Sequence, residues 1–327
     1  MGKGKRCVEN VTKFSCVLVA GGAGFIGSHI VDRLMEEGME VTVLDNFYSG
    51  VLENIKRWKK NRRLHLVRGD VCGFELVRKA VAGVDAVFND AAVVSVPRSM
   101  EDPILANEVN VGGTLNLLKA SVEEGVKRFI QASSASVYGN TRALPIKEGS
   151  LVDPISPYAV AELAADNYAR VFHRAYGLET FCLRYFNVYG PRQTYSAYSG
   201  VATILSNKLI RGQRPVIYGD GNQTRDFVYV DDVVEANMLT LRARRGAGEA
   251  FNIATGRAHT TNELLQNLQT RMGKQNLKPI YKPARSGDIK HSCASIDKAQ
   301  KTLKYKPRFT LKKGIAKLVK SQTTPCQ

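Results

Sequence analysis

The segment "CVLVAGGAGFIGSHIVDRLMEEG", residues 16–38, constrains the fold more than any other part of this 327-residue chain. A short β-branched run feeds a glycine-rich turn, and the turn opens an amphipathic helix that stops at a glycine. Gly22, Gly24 and Gly27 satisfy GxGxxG, and Gly21, Gly24 and Gly27 also satisfy GxxGxxG. Glycine is required where the backbone turns tightly and approaches a pyrophosphate, with the helix N-terminus supplying N–H groups and positive dipole. Glycine turns are common by themselves. Here a strand precedes, a helix follows, and Asp45 closes the next strand about 20 residues on, which is the dinucleotide-binding context. A carboxylate there accepts hydrogen bonds from both adenosine ribose hydroxyls and repels a 2′-phosphate. No arginine follows it in "DNFYSG", so the pattern predicts NAD rather than NADP. Asp70 ends a third strand-like run, where it either meets the adenine edge or caps a helix.

The first 185 or so residues alternate strand-like and helix-like segments. Residues 16–20, 40–45, 64–70, 84–89, 128–133 and 179–185 read as strands, and 24–38, 107–125 and 157–177 as helices ending at glycine. This alternation predicts an α/β fold of the Rossmann type, a doubly wound parallel sheet covered on both faces. After residue 187 the rhythm breaks and Pro, Gly and Tyr become frequent ("YGPRQTYSAYSG"). The expected division is an NAD-binding domain over 1–187, rejoined by about 230–255, and a smaller α/β substrate lobe from 188–229 and 256–327.

Composition narrows the function classes. At 44% hydrophobic and 24% charged the chain is of ordinary globular type, and no apolar run approaches the ~20 residues of a membrane span. The basic start followed by "FSCVLVA" imitates a signal peptide, but the apolar run is short and passes straight into the glycine turn, as a buried first strand does. Arg6 stands where an acylation signal on Gly2 needs Ser or Thr. Six cysteines lie scattered without a CxxC pair or histidine companions, which predicts free thiols in a reducing cytoplasm and no metal. The net charge of +17 is high, but Lys and Arg are spread through "KRWKKNRR", "RARR" and the C-terminal stretch with no nucleic-acid motif. Solvated surface is the expectation, with no specific nucleic-acid partner and no membrane partner.

The sequence resembles the extended short-chain dehydrogenase/reductase family, and within it the UDP-hexose 4-epimerases. The likeness rests on "GGAGFIGSH", "DNFYSG", "GDV", "VSVPRSMEDP", "NVGGT", "SSASVYG", "SPYAV", "LRYFNVYGPRQ", "GDGNQTRDFVYVDDV", "FNIATG" and "RSGDIKHS". It implies an NAD-dependent enzyme in which Tyr158 takes the proton of a sugar hydroxyl and Ser134 hydrogen-bonds the same oxygen. Around NAD it implies Gly21, Gly24, Phe25, Ile26, Gly27, Asp45, Asn46, Asp70, Val71, Ala91, Ala92 and Tyr158. For a UDP-sugar it implies Ser134, Asn187, Arg225, Arg285, Asp288 and Ser292, with Tyr218 flanking the uracil. Guanidinium groups suit the pyrophosphate. Ser292 either borders the sugar's 2-substituent, leaving room for an N-acetyl group, or is simple surface. Relatives that dehydrate or decarboxylate carry an acid within the equivalent of "SSASVYG"; this chain has none, which favours return of the 4-keto sugar as an epimer. The family also implies a homodimer, through apolar faces of 101–124 and 156–176 that equally suit sheet-covering helices.

Three positions depart from the pattern. Ala20 replaces a threonine before the glycine turn. "FNDAA" replaces "FHxAA", putting Asn89 and Asp90 near the nicotinamide half of NAD. Glu162 replaces the lysine of YxxxK, one helical turn from Tyr158. An ionised Glu162 would raise the pKa of Tyr158 rather than lower it. This opens a second expectation, a nucleotide-sugar-binding protein with feeble catalysis. A further alternative has Glu162 turned to solvent and a lysine from elsewhere in its place.

Overall fold

The computed structural model describes residues 14–195, 199–284 and 289–323. Seven strands form one parallel sheet: β1 (Cys16–Ala20), β2 (Glu40–Asp45), β3 (Leu64–Arg68), β4 (Ala86–Asn89), β5 (Arg128–Ser134), β6 (Glu179–Tyr185) and, from much later in the chain, β10 (Glu249–Ile253). Their order is β10-β6-β5-β4-β1-β2-β3, so the winding direction reverses between β1 and β4. In such sheets the cleft for ligands opens beyond the strand ends at that reversal. The central strands read as unbroken apolar runs because both faces are covered. Val17, Val19, Val41 and Phe88 point to one face, under α1 (Phe25–Glu36) and α8 (Val230–Leu241). Leu18, Leu44, Val87 and Phe129 point to the other, under α2 (Phe74–Val81), α5 (Thr114–Glu123) and α6 (Pro157–Tyr176).

Between β4 and α5 the chain makes two short helices, α3 (Val96–Glu101) and α4 (Pro103–Asn107), capped by the Ser95 and Asp102 side chains with proline in the first turn of each. Both pack on α6. The smaller lobe holds β7 (Asn187–Tyr189), β9 (Thr224–Tyr229) and β11 (Ala258–Thr260) in one sheet, and β8 (Val216–Tyr218) paired with β12 (Ile280–Lys282). Helices α7 (Val201–Ile210), α9 (Thr261–Met272) and α11 (Leu311–Thr323) pack together beside them, and α10 (Asp297–Leu303) packs on β10. Buried Asp226 ties the lobe to the end of β10: its carboxylate accepts from the Thr255 and Gly256 N–H groups at 2.8 and 2.9 Å.

Two strands are shorter than the sequence pattern predicts: the runs expected over 84–89 and 64–70 form only Ala86–Asn89 and Leu64–Arg68. The first of these expected runs, 84–89, begins only at Ala86, because Gly83 turns with φ +77° and the Asp85 carboxylate is occupied capping the Ser15 and Cys16 N–H groups. The helix expected over 107–125 starts as a π-helical stretch, Glu108–Gly113, before α5. Thr114 Oγ1 donates to the Asn110 carbonyl at 2.7 Å, and a Cβ on Gly113 would lie 2.4 Å from Val71. A helix turn that widens here keeps both contacts. Among the described residues, no helix is long and apolar enough to cross a membrane, and no cluster of His, Cys, Asp and Glu could hold a metal ion. Cys16, Cys72, Cys182 and Cys293 are free thiols; Cys7 and Cys326 lie outside the described residues.

Candidate active site

The cleft begins with backbone proximity. A Cβ on Gly27 would lie 2.2 Å from the Gly21 carbonyl oxygen, and one on Gly21 would lie 2.7 Å from the Asp90 carbonyl, so side chains at either position would push α1 or β4 away. Gly21 also has φ +76°, which suits glycine. Helix α1 then starts at Gly24 with no side-chain cap, leaving its first N–H groups for an anion. Asp45, at the end of β2, accepts from the Ala23 N–H at 2.8 Å and the Phe47 N–H at 2.8 Å. Its oxygens keep lone pairs for ribose hydroxyls while bracing the glycine turn. A Cβ on Gly50 would come within 3.0 Å of both oxygens, so the chain beyond is held against the carboxylate. An uncapped helix start, a side-chain-free turn and a carboxylate at the second strand end fit an adenine dinucleotide.

The flanking residues line the same ends of the sheet. Phe25 and Ile26 are half-buried in the first turn of α1. Asp70 does not cap α2, whose N-cap is Gly73; it accepts instead from the Cys72 N–H at 2.9 Å and from Asn46 Nδ2 at 2.7 Å. Burial opposes its charge, but these bonds outweigh burial and hold the carboxyl below its ordinary range. Asn46 and Asp70 therefore join the β2 and β3 ends, with Val71 buried behind them. Ala91 and Ala92 are half-buried beyond β4. Asn89 is buried, donating to Thr114 Oγ1 at 3.0 Å and Gln131 Oε1 at 2.9 Å. Asp90 is half-buried, and burial pushes its carboxyl up to about 7.

Tyr158 owes its place to the sequence "SPY". Ser156 caps α6 by accepting from the Ala159 N–H at 3.2 Å, Pro157 occupies the first turn, and the Tyr158 N–H donates to Ser99 Oγ at 3.0 Å. Ser134 ends β5 and starts a 3₁₀ turn, accepting from the Ser136 N–H at 3.1 Å. The structure places Tyr158 near enough to Ser134 for the serine hydroxyl to act on the phenol. Burial, and then the charge of Glu162, raise the phenol well above its ordinary range, while the bond from Ser134 pulls it down.

Glu162 is buried, not turned to solvent. Its Oε1 accepts from Asn110 Nδ2 at 2.9 Å, and Asn110 in turn accepts from the Val93 N–H at 2.8 Å. Burial pushes the Glu162 carboxyl up to about 8, helped by the charge of Asp166 and opposed by the Asn110 bond. Among the described residues no lysine or arginine shifts Tyr158 or Glu162, so no lysine from elsewhere fills the position. At neutral pH the expected opposing anion is therefore largely a neutral acid, able to donate as well as accept. Asn110 has no sequence signal as a site residue; it meets Glu162 only because the widened turn at 108–113 packs on α6.

The smaller lobe collects part of the expected substrate set. Asn187 opens β7 opposite Phe227 of β9, Arg225 lies on β9 opposite His259, and buried Ser292 donates its N–H to the Thr224 carbonyl at 3.1 Å. Arg225 Nη1 donates to that same carbonyl at 2.8 Å, which bends its guanidinium back along its own strand. Tyr218 ends β8, its carbonyl accepting from Gln223 at 2.9 Å. Arg285 and Asp288 lie outside the described residues.

The family described as NAD dependent epimerase/dehydratase matches residues 17–254. The chain belongs to that family. Its cofactor is NAD, which the turn at 21–27 and Asp45 fit. A putative UDP-glucose 4-epimerase of Methanocaldococcus jannaschii is 38% identical over 305 residues, 93% of this chain and 97% of that protein. Two solved structures superpose over nearly the whole chain. A UDP-glucose 4-epimerase of Thermotoga maritima with UDP-glucose gives a TM-score of 0.89 at 39% identity, covering 94% of this chain and 98% of that one. A UDP-N-acetylglucosamine 4-epimerase of Methanobrevibacter ruminantium with UDP-N-acetylmuramic acid gives 0.90 at 36% identity, covering 95% and 99%. None of these relatives supports the expectation of a nucleotide-sugar-binding protein with feeble catalysis.

The buried carboxyl has a measurable signature. Glu162 titrates near its ordinary 4.5 in the unfolded chain and at about 8 when folded, so between these values the folded chain keeps a proton that the unfolded chain has released. Stability then falls as pH rises through that window. Glu162→Gln, which keeps the Asn110 partner, is expected to flatten this slope in urea unfolding followed from about pH 5 to about pH 9, gaining on the wild type at the alkaline end. Parallel pH curves for the two proteins would show that the carboxyl is ionised in the fold.

Proposed function

We propose that this protein interconverts the C4 epimers of a UDP-hexose or UDP-N-acetylhexosamine through a transient 4-keto sugar. The observation that carries this reading is the proximity of Tyr158, in the first turn of α6, to Ser134 at the end of β5, beside a turn (Ala135–Tyr138) that contains no acidic side chain. NAD, when bound, supplies the hydride acceptor and donor at C4. Tyr158 would take the 4-hydroxyl proton and, once the keto sugar has turned its opposite face toward the cofactor for hydride return, give the proton back to the same oxygen. Ser134 holds the same oxygen as its charge grows. Burial that disfavours the phenolate means proton abstraction is aided by alkali, so turnover rises with pH. Neutral Glu162 leaves that phenolate unopposed at pH 7 and serves as a hydrogen-bond partner for ribose hydroxyls. Asn187, Arg225 and Tyr218, with Arg285 and Asp288, are the residues proposed to hold the UDP moiety while the sugar turns over.

Incubating the purified protein with UDP-galactose and with UDP-N-acetylgalactosamine, and resolving the products by anion-exchange chromatography, tests this directly. UDP-glucose and UDP-N-acetylglucosamine are the expected products. A 4-keto-6-deoxy product, or no turnover of either, would overturn the reading.

Ser292 is buried beside the start of β9 and has little side-chain volume. We infer that it leaves room for the 2-substituent. Ser292→Tyr should cut kcat/KM for the acetylated sugar at least ten-fold more than for the plain one, a difference of about 1.4 kcal/mol in transition-state binding. Equal losses for both sugars would remove it as the gate.

Val160, Tyr168 and Val171 on α6, with Met100 on α3 and Ile104 on α4, expose apolar side chains on neighbouring helices. We infer a homodimer through this face, as monomers seldom leave such patches open. Light scattering should give twice the chain mass, and Val171→Asp should halve it; a monomeric wild type rules this out.

A further inference from the structure

A cavity of about 630 Å³ lies far from this cleft, between the second half of α6, the start of β10 and α10. Arg170 and Arg174 sit about 18 and 24 Å along α6 from Tyr158, at 1.5 Å per residue. Six cationic side chains line it: Lys147, Arg170, Arg174, Arg184, Lys298 and Lys301. Its three acids offset them only in part. Glu249 is taken by Lys298 at 2.8 Å, Glu148 accepts the Asn252 N–H at 2.9 Å, and Asp297 lies in the first turn of α10.

The floor of the cavity is what points to a ligand. Arg184 is 2% exposed, and a guanidinium that deep requires compensation. Its Nε donates to Asp166 Oδ2 at 2.8 Å and its Nη1 to Tyr138 and the Glu148 carbonyl, while Nη2 has no protein partner among the described residues. Arg170 leans on the same Asp166 at 3.9 Å, too far for a hydrogen bond, and its buried Nε has no partner at all. Two guanidinium groups thus share one carboxylate. One positive charge remains unanswered, with Asp166 Oδ1 also unpartnered, beneath a cavity whose rim adds Arg174 and Lys301.

We propose that this cavity is a second ligand site, separate from the NAD and sugar-nucleotide clefts, that binds a compact, multiply charged phosphate ester or pyrophosphate. Planar guanidinium forks match phosphate oxygens in pairs, and ammonium groups at the rim add unspecific attraction. The lining carries no aromatic ring among the described residues, so a nucleobase would find nothing to stack on. Arg184 Nη2, which is not among the fully buried unpartnered atoms, and the outer nitrogens of Arg170 are the groups the anion's oxygens would meet.

The test uses the protein with NAD and saturating UDP present, so that phosphate sites in the known clefts are filled, and inorganic pyrophosphate as the probe in calorimetric titration. One equivalent is expected to bind. The surface double variants Arg174→Gln/Lys301→Gln and Arg174→Glu/Lys301→Glu should weaken it by about ten-fold and beyond detection respectively, while UDP affinity stays unchanged. No binding of pyrophosphate under these conditions, or equal binding by wild type and both variants, would overturn the proposal. Loss of UDP affinity in the same variants would do so too, since it would make the cavity part of the substrate cleft.

Discussion

The architecture hangs on how closely three pieces of backbone approach one another at Gly21. The Gly21 carbonyl lies where a Gly27 Cβ would be, and the Asp90 carbonyl lies where a Gly21 Cβ would be. This contact locks the start of α1 and the ends of β1 and β4 at the point where the sheet reverses its winding. Close backbone packing of this kind tolerates no added methyl, since displacing rigid main chain costs far more than shifting a side-chain tip. The cleft exists because the helix start is drawn down to the sheet edge, where its free N–H groups face outward. Asp45 then extends the lock to β2 through the Ala23 N–H.

Helix α6 carries a second set of constraints, all electrostatic. Within three turns of its first residues it presents Tyr158 to the cleft, buries Glu162 against Asn110, and buries Asp166 against Arg184. Asp166 helps to raise the Glu162 carboxyl and draws two arginines from the other side. A buried acid four residues from a buried carboxylate stays neutral more easily than it ionises. The consequence is functional. At the position where the family has a cation, burial favours the uncharged form of Glu162, one turn from Tyr158 on the same helix.

Strand positions were legible because period and composition are local properties. The runs at 16–20, 40–45 and 179–185 coincide with β1, β2 and β6 residue for residue, and "SPY" announces the α6 cap and the helix start where Tyr158 sits. The misjudged stretches are those where a distant group intervenes. Asp85 turns back to cap residues 15 and 16 and shortens β4, and Gly113 packs on Val71, which widens the expected helix into a π turn. Motif position did not announce the partners of Asn89. Its amide is satisfied by Thr114 and Gln131, which lie 25 and 42 residues away in the chain.

What the sequence alone determined was the fold class, the dinucleotide turn and the types of the reacting groups, since each depends on spacing within one helix, one turn or one strand–helix junction. What only the tertiary structure decided was the state of those groups. The sequence places Glu162 one turn from Tyr158 but does not say whether it is charged. That depends on desolvation by the packed helices and on Asn110, which lies 52 residues away. The surplus of positive charge around Asp166 was likewise invisible, because it arises from arginines on α6 and β6 and lysines on α10 that become neighbours only in the folded sheet. Protonation state and charge balance are properties of a three-dimensional environment, and no periodicity in the chain encodes them.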